Sequence, residues 1–371
     1  MIRWARERAG KDVAELRGRF PRLLEWEQGE VRPTLKQTEA FAQAVWVPVG
    51  YLFLAEPPVE TVPLPDFRSG HTRSRRPSPN LLDTLYLSQA RQAWYRDYAR
   101  AVGETSLPFV GSASIEQPVK VTADSIRRTI GFDLESRRRC SDWTQALREF
   151  IQQVDAAGIL VMVSGVVRNN THRPLDPGEF RGFTITDDLA PLIFVNGADS
   201  KAAQMFTLAH ELAHVWLGRS ALSDPDPGEA ADSDIERWCN AVAAEVLVPM
   251  HMLRDDLRPG AEAGAEMRRI ARRYKVSTLV ALRRLFEAGA ISRSVFRAEY
   301  ESEIARIASL PTGSGGDFYR TQPVRASRRF VAALVESTLE GRTLYRDALH
   351  MLGISKVETF HELGRSVNAM A

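Results

Sequence analysis

Two histidines four residues apart, the first followed directly by a glutamate, have the spacing in this sequence best suited to catalysis. They are His210, Glu211 and His214, in the stretch TLAHELAHVWLG at residues 207–218. Residues four apart lie on the same face of a helix, so both imidazoles can contact one metal ion. Glu211 lies about 100° further around the helix axis, where its carboxylate can reach a water molecule without being a ligand. The pattern therefore predicts a zinc site with Glu211 as the general base for attack on a carbonyl.

The alternative interpretation is that these are ordinary histidines of a buried or surface helix. Short motifs of this kind also arise by chance. The helical context of the motif and the strand-rich segment just before it favour the metal site.

A catalytic zinc ion usually has a third protein ligand and one open position. No third histidine follows closely, since the next one is His251. Glu236 is the preferred third ligand because it opens the next predicted helix, which can direct its carboxylate back at the metal. Asn240, one turn later on the same face, could hold a ligand histidine by its other ring nitrogen. Glu245 is the alternative third ligand, and the carboxylates of the loop before Glu236 are expected to be solvated.

The roles of several other polar side chains stay open at this point. Cys239 follows Glu236 by three residues, and a buried packing residue is favoured there over a redox-sensing thiol. No side chain stands out as the group that stabilises a tetrahedral intermediate. Side chains of a suitable type occur at His172, Arg181, His251 and Tyr274.

The elements that must position these residues are indicated by the patterns around them. Three apolar runs, GILVMVSGVV, RGFTITDD and PLIFVN, predict the strands of a small sheet. The helix that carries the two histidines follows, with Asp199 or Ser200 as its N-cap and Gly218 at its end. An acidic, proline-rich loop at residues 219–234 then leads into the helix IERWCNAVAAEVLVP.

These two helices together resemble those of the ImmA/IrrE family of metallo-endopeptidases, in which a gluzincin-type HExxH is completed by a downstream glutamate. The family pattern of the second helix is matched at Glu236, Asn240, Ala243, Ala244 and Pro249. The conservative departures from it are Cys239, Val242 and Val248. The resemblance covers residues 155–290 and implies that His210, His214 and Glu236 bind Zn²⁺ and that Glu211 is the general base.

The fold implied is α+β and mainly helical, with a zincin-like core in which a small sheet packs on the HExxH helix. The length of 371 residues also favours several domains. We expect a helix-turn-helix-like bundle at 1–57, a Pro/Arg-rich linker at 58–80, a helical segment at 81–150, the metallopeptidase core at 151–290 with a helix-turn-helix-like end, and a basic helical region at 291–371.

The N-terminal segment EWEQGEVRPTLKQTEAFAQAVWVPVGYLF resembles the lambda-repressor-like helix-turn-helix of the XRE group. DNA binding needs basic residues, yet residues 1–57 hold nine Lys or Arg against eight Asp or Glu. The expected DNA-reading helix, PRLLEWEQGE, itself contains Glu25, Glu27 and Glu30. A docking or dimerising role for this bundle is therefore as well supported by the sequence as DNA binding. The later stretch RRIARRYKVSTLVALRRLF also has a helix-turn-helix shape, and its role in packing or partner binding is left open.

The bulk composition excludes some classes of protein. With 49 basic and 47 acidic residues, the net charge of +2 gives no overall argument for nucleic acid or an anionic membrane. Two cysteines fit a reducing cytosol, and no run of apolar residues is long enough to span a membrane. The charged N-terminus MIRWARERAGKDVAEL is unlike a signal peptide. We therefore expect a cytoplasmic protein with no membrane segment.

The function expected from the sequence is zinc-dependent endopeptidase activity. By resemblance, the substrate is one specific regulatory protein of repressor or antitoxin type, cut in a stress or mobile-element response. An edge strand near PLIFVN would hold the substrate by β-augmentation. The alternative is a DNA-binding transcriptional regulator or toxin–antitoxin component whose zinc domain is a sensor or structural element. Besides the protein substrate, DNA and a second copy of the chain are the partners left open.

Overall fold

The computed structural model describes residues 1–67, 76–223, 233–308 and 324–367. The chain divides into two compact units, one formed by residues 1–63 and 75–85 and the other by residues 64–74 and 86–371. Each unit has its own cluster of buried apolar side chains.

The described part of the chain is mainly helical, with one small sheet. The helices, in chain order, are α1 (Ile2–Arg8), α2 (Val13–Arg17), α3 (Leu23–Gln28), α4 (Leu35–Ala44), α5 (Pro79–Ala101), α6 (Val119–Ile130), α7 (Leu134–Arg139), α8 (Trp143–Ala156), α9 (Lys201–Leu217), α10 (Asp234–Leu247), α11 (Met250–Asp256), α12 (Ala263–Tyr274), α13 (Thr278–Glu287), α14 (Arg293–Ala308), α15 (Arg328–Leu339), α16 (Tyr345–Leu352) and α17 (Val357–Ser366). The strands are β1 (Leu160–Ser164), β2 (Gly182–Ile185), β3 (Leu192–Asn196) and β4 (Ala221–Ser223). The predicted α+β, mainly helical fold class is confirmed. Within the described ranges, none of the helices has the combined length and apolar character needed to cross a membrane.

The first unit is a bundle of α1 to α4 around an aromatic core. The rings of Phe20 and Phe41 meet edge to face with centroids 5.5 Å apart, and Trp26 packs against both. Thr34 caps α4 by accepting from the backbone N–H of Gln37. The helix expected to read DNA is α3, which is only six residues long. DNA binding by this bundle stays a prediction.

The sheet of the second unit has the strand order β1-β3-β2-β4. Strands β1 and β3 are parallel, whereas β2 is antiparallel to both β3 and β4. The expectation that the edge strand lies near PLIFVN is wrong, because β3 is paired on both sides. The prediction of a loop throughout 219–234 is also wrong, since residues 221–223 form edge strand β4. Three residues are too few to give a strand pattern, and strand order depends on pairing between distant segments.

Helix α9 is the central helix of the second unit. Ser200 caps it, accepting from the backbone N–H of Ala203 at 3.2 Å, and Gly218 ends it with a left-handed φ of +66°. All residues from Gln204 to Trp216 are buried, because the helix packs against the sheet on one side and against α8 and α10 on others. The side chains at 210, 211 and 214 are therefore held in the interior of the fold.

Candidate metal centre

Three metal-ligating side chains converge between α9 and α10. The Nε2 atoms of His210 and His214 lie 3.1 Å apart. Glu236 places Oε2 at 3.1 Å from the first of these nitrogens and Oε1 at 3.1 Å from the second. Ser233 caps α10 by accepting from the Glu236 N–H, which fixes the carboxylate in the first turn of that helix. Among the described residues, these three form a group whose ligand atoms could hold one metal ion.

The spacing of these atoms fits a tetrahedral divalent ion. Bonds of about 2.0–2.1 Å from zinc to nitrogen and oxygen place neighbouring ligand atoms about 3.3 Å apart, close to the three observed separations of 3.1 Å. Oε1 of Glu236 is buried and accepts no hydrogen bond from the described residues. A buried carboxylate oxygen without a donor is unfavourable, and a cation between the three side chains would satisfy it.

The electrostatics of the cluster favour a bound cation as well. His210 and His214 are fully buried, and only 4% of Glu236 is exposed. Burial alone would raise the pKa of Glu236, but the two imidazoles outweigh it and hold that pKa well below its usual range. Burial likewise opposes the protonated form of His210, and the Glu236 carboxylate outweighs this and raises the pKa of the imidazole. Glu236 is therefore an anion at neutral pH, the form that binds a metal.

Asn240 fixes the orientation of one imidazole. Its Oδ1 lies 2.9 Å from Nδ1 of His210. Because an amide oxygen only accepts hydrogen bonds, Nδ1 of His210 must carry the proton and donate it. In the neutral imidazole, the form that binds a metal, the lone pair of His210 is then on Nε2, the nitrogen that points into the cluster.

Glu211 lies on the side of α9 that faces β2. Thr184 donates from Oγ1 to Oε2 of Glu211 at 2.6 Å, whereas Oε1 is buried and has no hydrogen-bond partner among the described residues. Burial raises the pKa of this carboxyl above its usual value. The arrangement leaves one oxygen of a desolvated carboxylate available to take a proton.

Strand β2 comes close to Glu211 because residue 182 is a glycine. A Cβ at Gly182 would lie 2.6 Å from Cγ2 of Thr207 and 2.9 Å from Oε1 of Glu211, so a larger residue would force the carboxylate to move. Neither Gly182 nor Thr184 was predicted from the sequence as a site residue. Both lie in the strand RGFTITDD, and nothing in that local pattern distinguishes them from other strand residues.

The remaining candidates lie elsewhere or have structural roles. Glu245 forms a buried ion pair with Arg284 and accepts from the backbone N–H of Met250, so it holds α13 and the start of α11 and is not part of the cluster. Cys239 is fully buried in the apolar core, and burial raises the pKa of its thiol well above the usual value. The interpretation of Cys239 as a packing residue is therefore confirmed.

The four side chains considered for stabilising an intermediate are spread over the domain. Tyr274 donates its hydroxyl hydrogen to Asp256, and Arg181 lies 3.8 Å from the carboxylate of Asp199. His172 and His251 are exposed. The role of an intermediate-stabilising group is thus not assigned to any of them.

Two protein families match segments of the chain. Residues 155–286, which contain the sheet, α9, α10 and the converging side chains, match the model of a family described as the IrrE N-terminal-like domain. This segment is similar to that family and is called the IrrE-like domain below. The predicted resemblance to the ImmA/IrrE family is confirmed for it. Residues 326–366 match a second family, described as "Domain of unknown function (DUF8813)".

Two curated relatives are similar to part of the chain. The radiation response metalloprotease IrrE of Deinococcus radiodurans is 35% identical over 101 residues, which are 26% of this chain and 31% of that protein. The protein of the same description from Deinococcus deserti is 36% identical over 101 residues, 26% of this chain and 36% of the relative. The similarity therefore spans about a third of the length of each curated relative.

Proposed function

We propose that the IrrE-like domain is a zinc-dependent endopeptidase that cuts one specific regulatory protein, of repressor or antitoxin type, in a stress or mobile-element response. The observation that carries this proposal is the convergence of His210, His214 and Glu236 next to a buried carboxylate, Glu211, with one free oxygen. The relatives described as radiation response metalloproteases support the same chemistry.

Each side chain of the cluster has a role in this proposal. His210, His214 and Glu236 hold Zn²⁺, and Asn240 keeps His210 in the tautomer that can bind it. When bound, Zn²⁺ supplies Lewis-acid activation of a water molecule and of the substrate carbonyl. Glu211 takes the proton from the attacking water at Oε1 and then donates it to the leaving amine nitrogen. Thr184 holds the other oxygen of Glu211, so that Oε1 keeps its orientation.

The substrate is proposed to bind in an extended conformation along β4. This strand is the sheet edge next to β2, the strand that contacts Glu211. An extended peptide added to a sheet edge is held by main-chain hydrogen bonds, and this edge is therefore the place from which a peptide carbonyl can approach Glu211.

The proposal is tested by metal content and by cleavage of a natural partner. We expect the purified full-length chain to carry about one zinc ion, as a three-ligand catalytic site does. On co-expression with a repressor- or antitoxin-type regulator, where a neighbouring gene encodes one, the wild-type chain should cleave that regulator. Prolonged incubation of the purified chain with a chelator should remove the activity, and added Zn²⁺ should restore it. Undiminished cleavage by protein that elemental analysis finds free of metal would overturn the proposal.

Substitution of Asn240 by alanine is expected to weaken zinc binding by about 10–100-fold, the usual effect of losing the hydrogen bond that orients a ligand histidine. The free Nδ1–H of His210 would then have no acceptor. The measurement is a competition titration against a chromophoric zinc chelator. Asn240→Asp, which still offers an accepting oxygen, is the matched control and should bind zinc more tightly than Asn240→Ala. Equal affinities for the alanine variant and the wild type would show that Asn240 does not support the site.

The alternative function, DNA-binding regulation, stays a prediction and ranks second. Helices α12 and α13 are rich in arginine, and most of these side chains are paired within the chain. Arg269 is paired with Glu266, Arg273 with Asp256 and Arg283 with Glu287, and Arg284 is buried against Glu245. Paired arginines are less available to contact phosphates. A homodimer and a cytoplasmic location also stay predictions.

A further inference from the structure

The outer edge of β4 is occupied by a short segment of the chain itself. The backbone N–H of Phe67 donates to the carbonyl oxygen of Leu222 at 3.0 Å, and the N–H of Leu222 donates to the carbonyl oxygen of Pro65 at 2.9 Å. Asp66 thereby pairs with Leu222 as a parallel β-bridge. Residues 65–67 thus take the position of an added strand on the sheet edge proposed to bind the substrate.

The same segment places an aromatic ring over the metal cluster. The ring of Phe67 stacks on the imidazole of His214, with centroids 6.1 Å apart and planes inclined by 27°. Leu64, just before the segment, is also buried. With the segment in place, His210, Glu211 and His214 have no solvent-exposed surface. A protein substrate cannot reach side chains in that state.

The sequence of the segment suits an extended conformation. Leu64 precedes a proline, which restricts its backbone to the extended region, and Pro63 and Pro65 have a fixed φ that is compatible with a strand. Pro65 has no N–H, but it needs only its carbonyl oxygen to pair with Leu222, as a proline on an edge strand can. The two prolines therefore reduce the conformational entropy that is lost when Pro65–Phe67 pairs with β4.

We propose that the outer edge of β4, together with the His214 ring, is a binding site for an extended polypeptide with an aromatic side chain, and that Pro65–Phe67 is its resident occupant. The occupant and a polypeptide substrate compete for the same hydrogen-bonding groups of Leu222 and for the same face of His214. The segment thus restrains the enzyme until it is displaced. This consequence for cleavage rests on the proposed peptidase function, whereas occupancy of the edge can be measured without it.

The test uses the full-length chain with Phe67→Pro, which removes both the N–H that binds Leu222 and the aromatic ring. The probe is a fluorescent synthetic peptide with the sequence of residues 62–69, VPLPDFRS, and the readout is fluorescence anisotropy. The apparent affinity for the peptide is lower when the site is free in a smaller fraction of the molecules. The site is occupied by Pro65–Phe67 in the wild type and free in the variant. The variant should therefore bind the peptide at least about tenfold more tightly than the wild type. A peptide with alanine in place of phenylalanine should bind more weakly to the same variant.

Val59→Pro is the matched control, because Val59 lies in the same proline-rich stretch and is 91% exposed. It should bind the peptide as weakly as the wild type does. If Phe67→Pro does not fold, Phe67→Ala provides the test, since it removes the ring and retains the N–H. The Leu222 amide donates to Pro65, so its hydrogen exchange should be slow in the wild type and faster in either folded variant. Equal peptide affinity and equal Leu222 exchange in variant and wild type would overturn the proposal.

Cleavage of the partner protein separates this proposal from the proposed function. Faster cleavage by Phe67→Pro than by the wild type supports both. If Phe67→Pro binds the peptide tightly and neither it nor the wild type cleaves the partner protein, the proposal that Pro65–Phe67 occupies the β4 edge stands and the proposed peptidase function is rejected. Cleavage at the same rate by wild type, Phe67→Pro and Val59→Pro would retain the peptidase and reject the occupant.

Discussion

Replacing Glu211 by glutamine is expected to lower kcat/KM for cleavage of the partner protein by about 10²–10⁴-fold, the contribution typical of a general base, while zinc content is unchanged. Glutamine has nearly the same shape and can still accept from Thr184, which donates to Glu211 at 2.6 Å. It cannot take a proton from the attacking water. The measurement pairs cleavage kinetics of the purified chain with elemental analysis of the same sample.

The control for this variant is Glu301→Gln, which removes one carboxylate from the exposed surface of α14. It should leave both cleavage and zinc content at wild-type values. If Glu211→Gln cleaved its partner as fast as the wild type, Glu211 would not be the base. Loss of zinc from Glu211→Gln would instead place Glu211 among the ligands.

Replacing Glu236 by alanine is expected to lower zinc affinity by more than about 100-fold, because losing a ligand costs more than losing the partner that orients one. The two imidazoles would then share no carboxylate, and both lie at 3.1 Å from it in the structure. Zinc stoichiometry after dialysis is the first measurement. The second is thermal unfolding, since a ligand that binds only the folded state raises Tm. A chelator should lower the Tm of the wild type and leave that of the variant unchanged.

Glu245→Ala tests whether Glu236 or Glu245, the two candidates predicted from the sequence, is the third metal ligand. Removing Glu245 takes from the buried Arg284 one of its two carboxylate partners and leaves Glu287 as the other. The loss of stability should therefore stay below the about 3–5 kcal/mol that is typical when a buried charge loses its only partner. Zinc binding by the folded fraction should nevertheless persist. The opposite pattern, with zinc lost from Glu245→Ala and retained by Glu236→Ala, would reject the cluster described above.

The local sequence predicted the elements that carry the cluster because their signals lie within one or two helical turns. Ser200 and Gly218 bound α9, and the apolar runs before it became β1, β2 and β3. The preference for Glu236 also used only local information, namely its place in the first turn of α10. The structure brings its carboxylate to both imidazoles, and its role as a ligand is tested by the variants above.

The features that the sequence did not predict depend on contacts between distant segments. Thr184 reaches Glu211 across 27 positions of the chain, and β4 becomes a strand only by pairing with β2. Pro65–Phe67 was included in a linker because prolines and basic residues surround it. Its pairing with Leu222 could not be predicted, since a proline-rich stretch has the same local pattern whether or not a sheet edge is available to it.

The complete burial of His210 and His214 limits the rates at which a metal ion can bind to the cluster and dissociate from it. An ion enclosed between α9 and α10 leaves only when part of the surrounding structure opens, and the stability of that part then sets the rate of exchange. For an ion bound at this cluster, the residence time would therefore not follow from the equilibrium affinity alone. A brief chelator treatment would measure how often the domain opens, and a sample that keeps its metal through such a treatment can still bind it weakly at equilibrium.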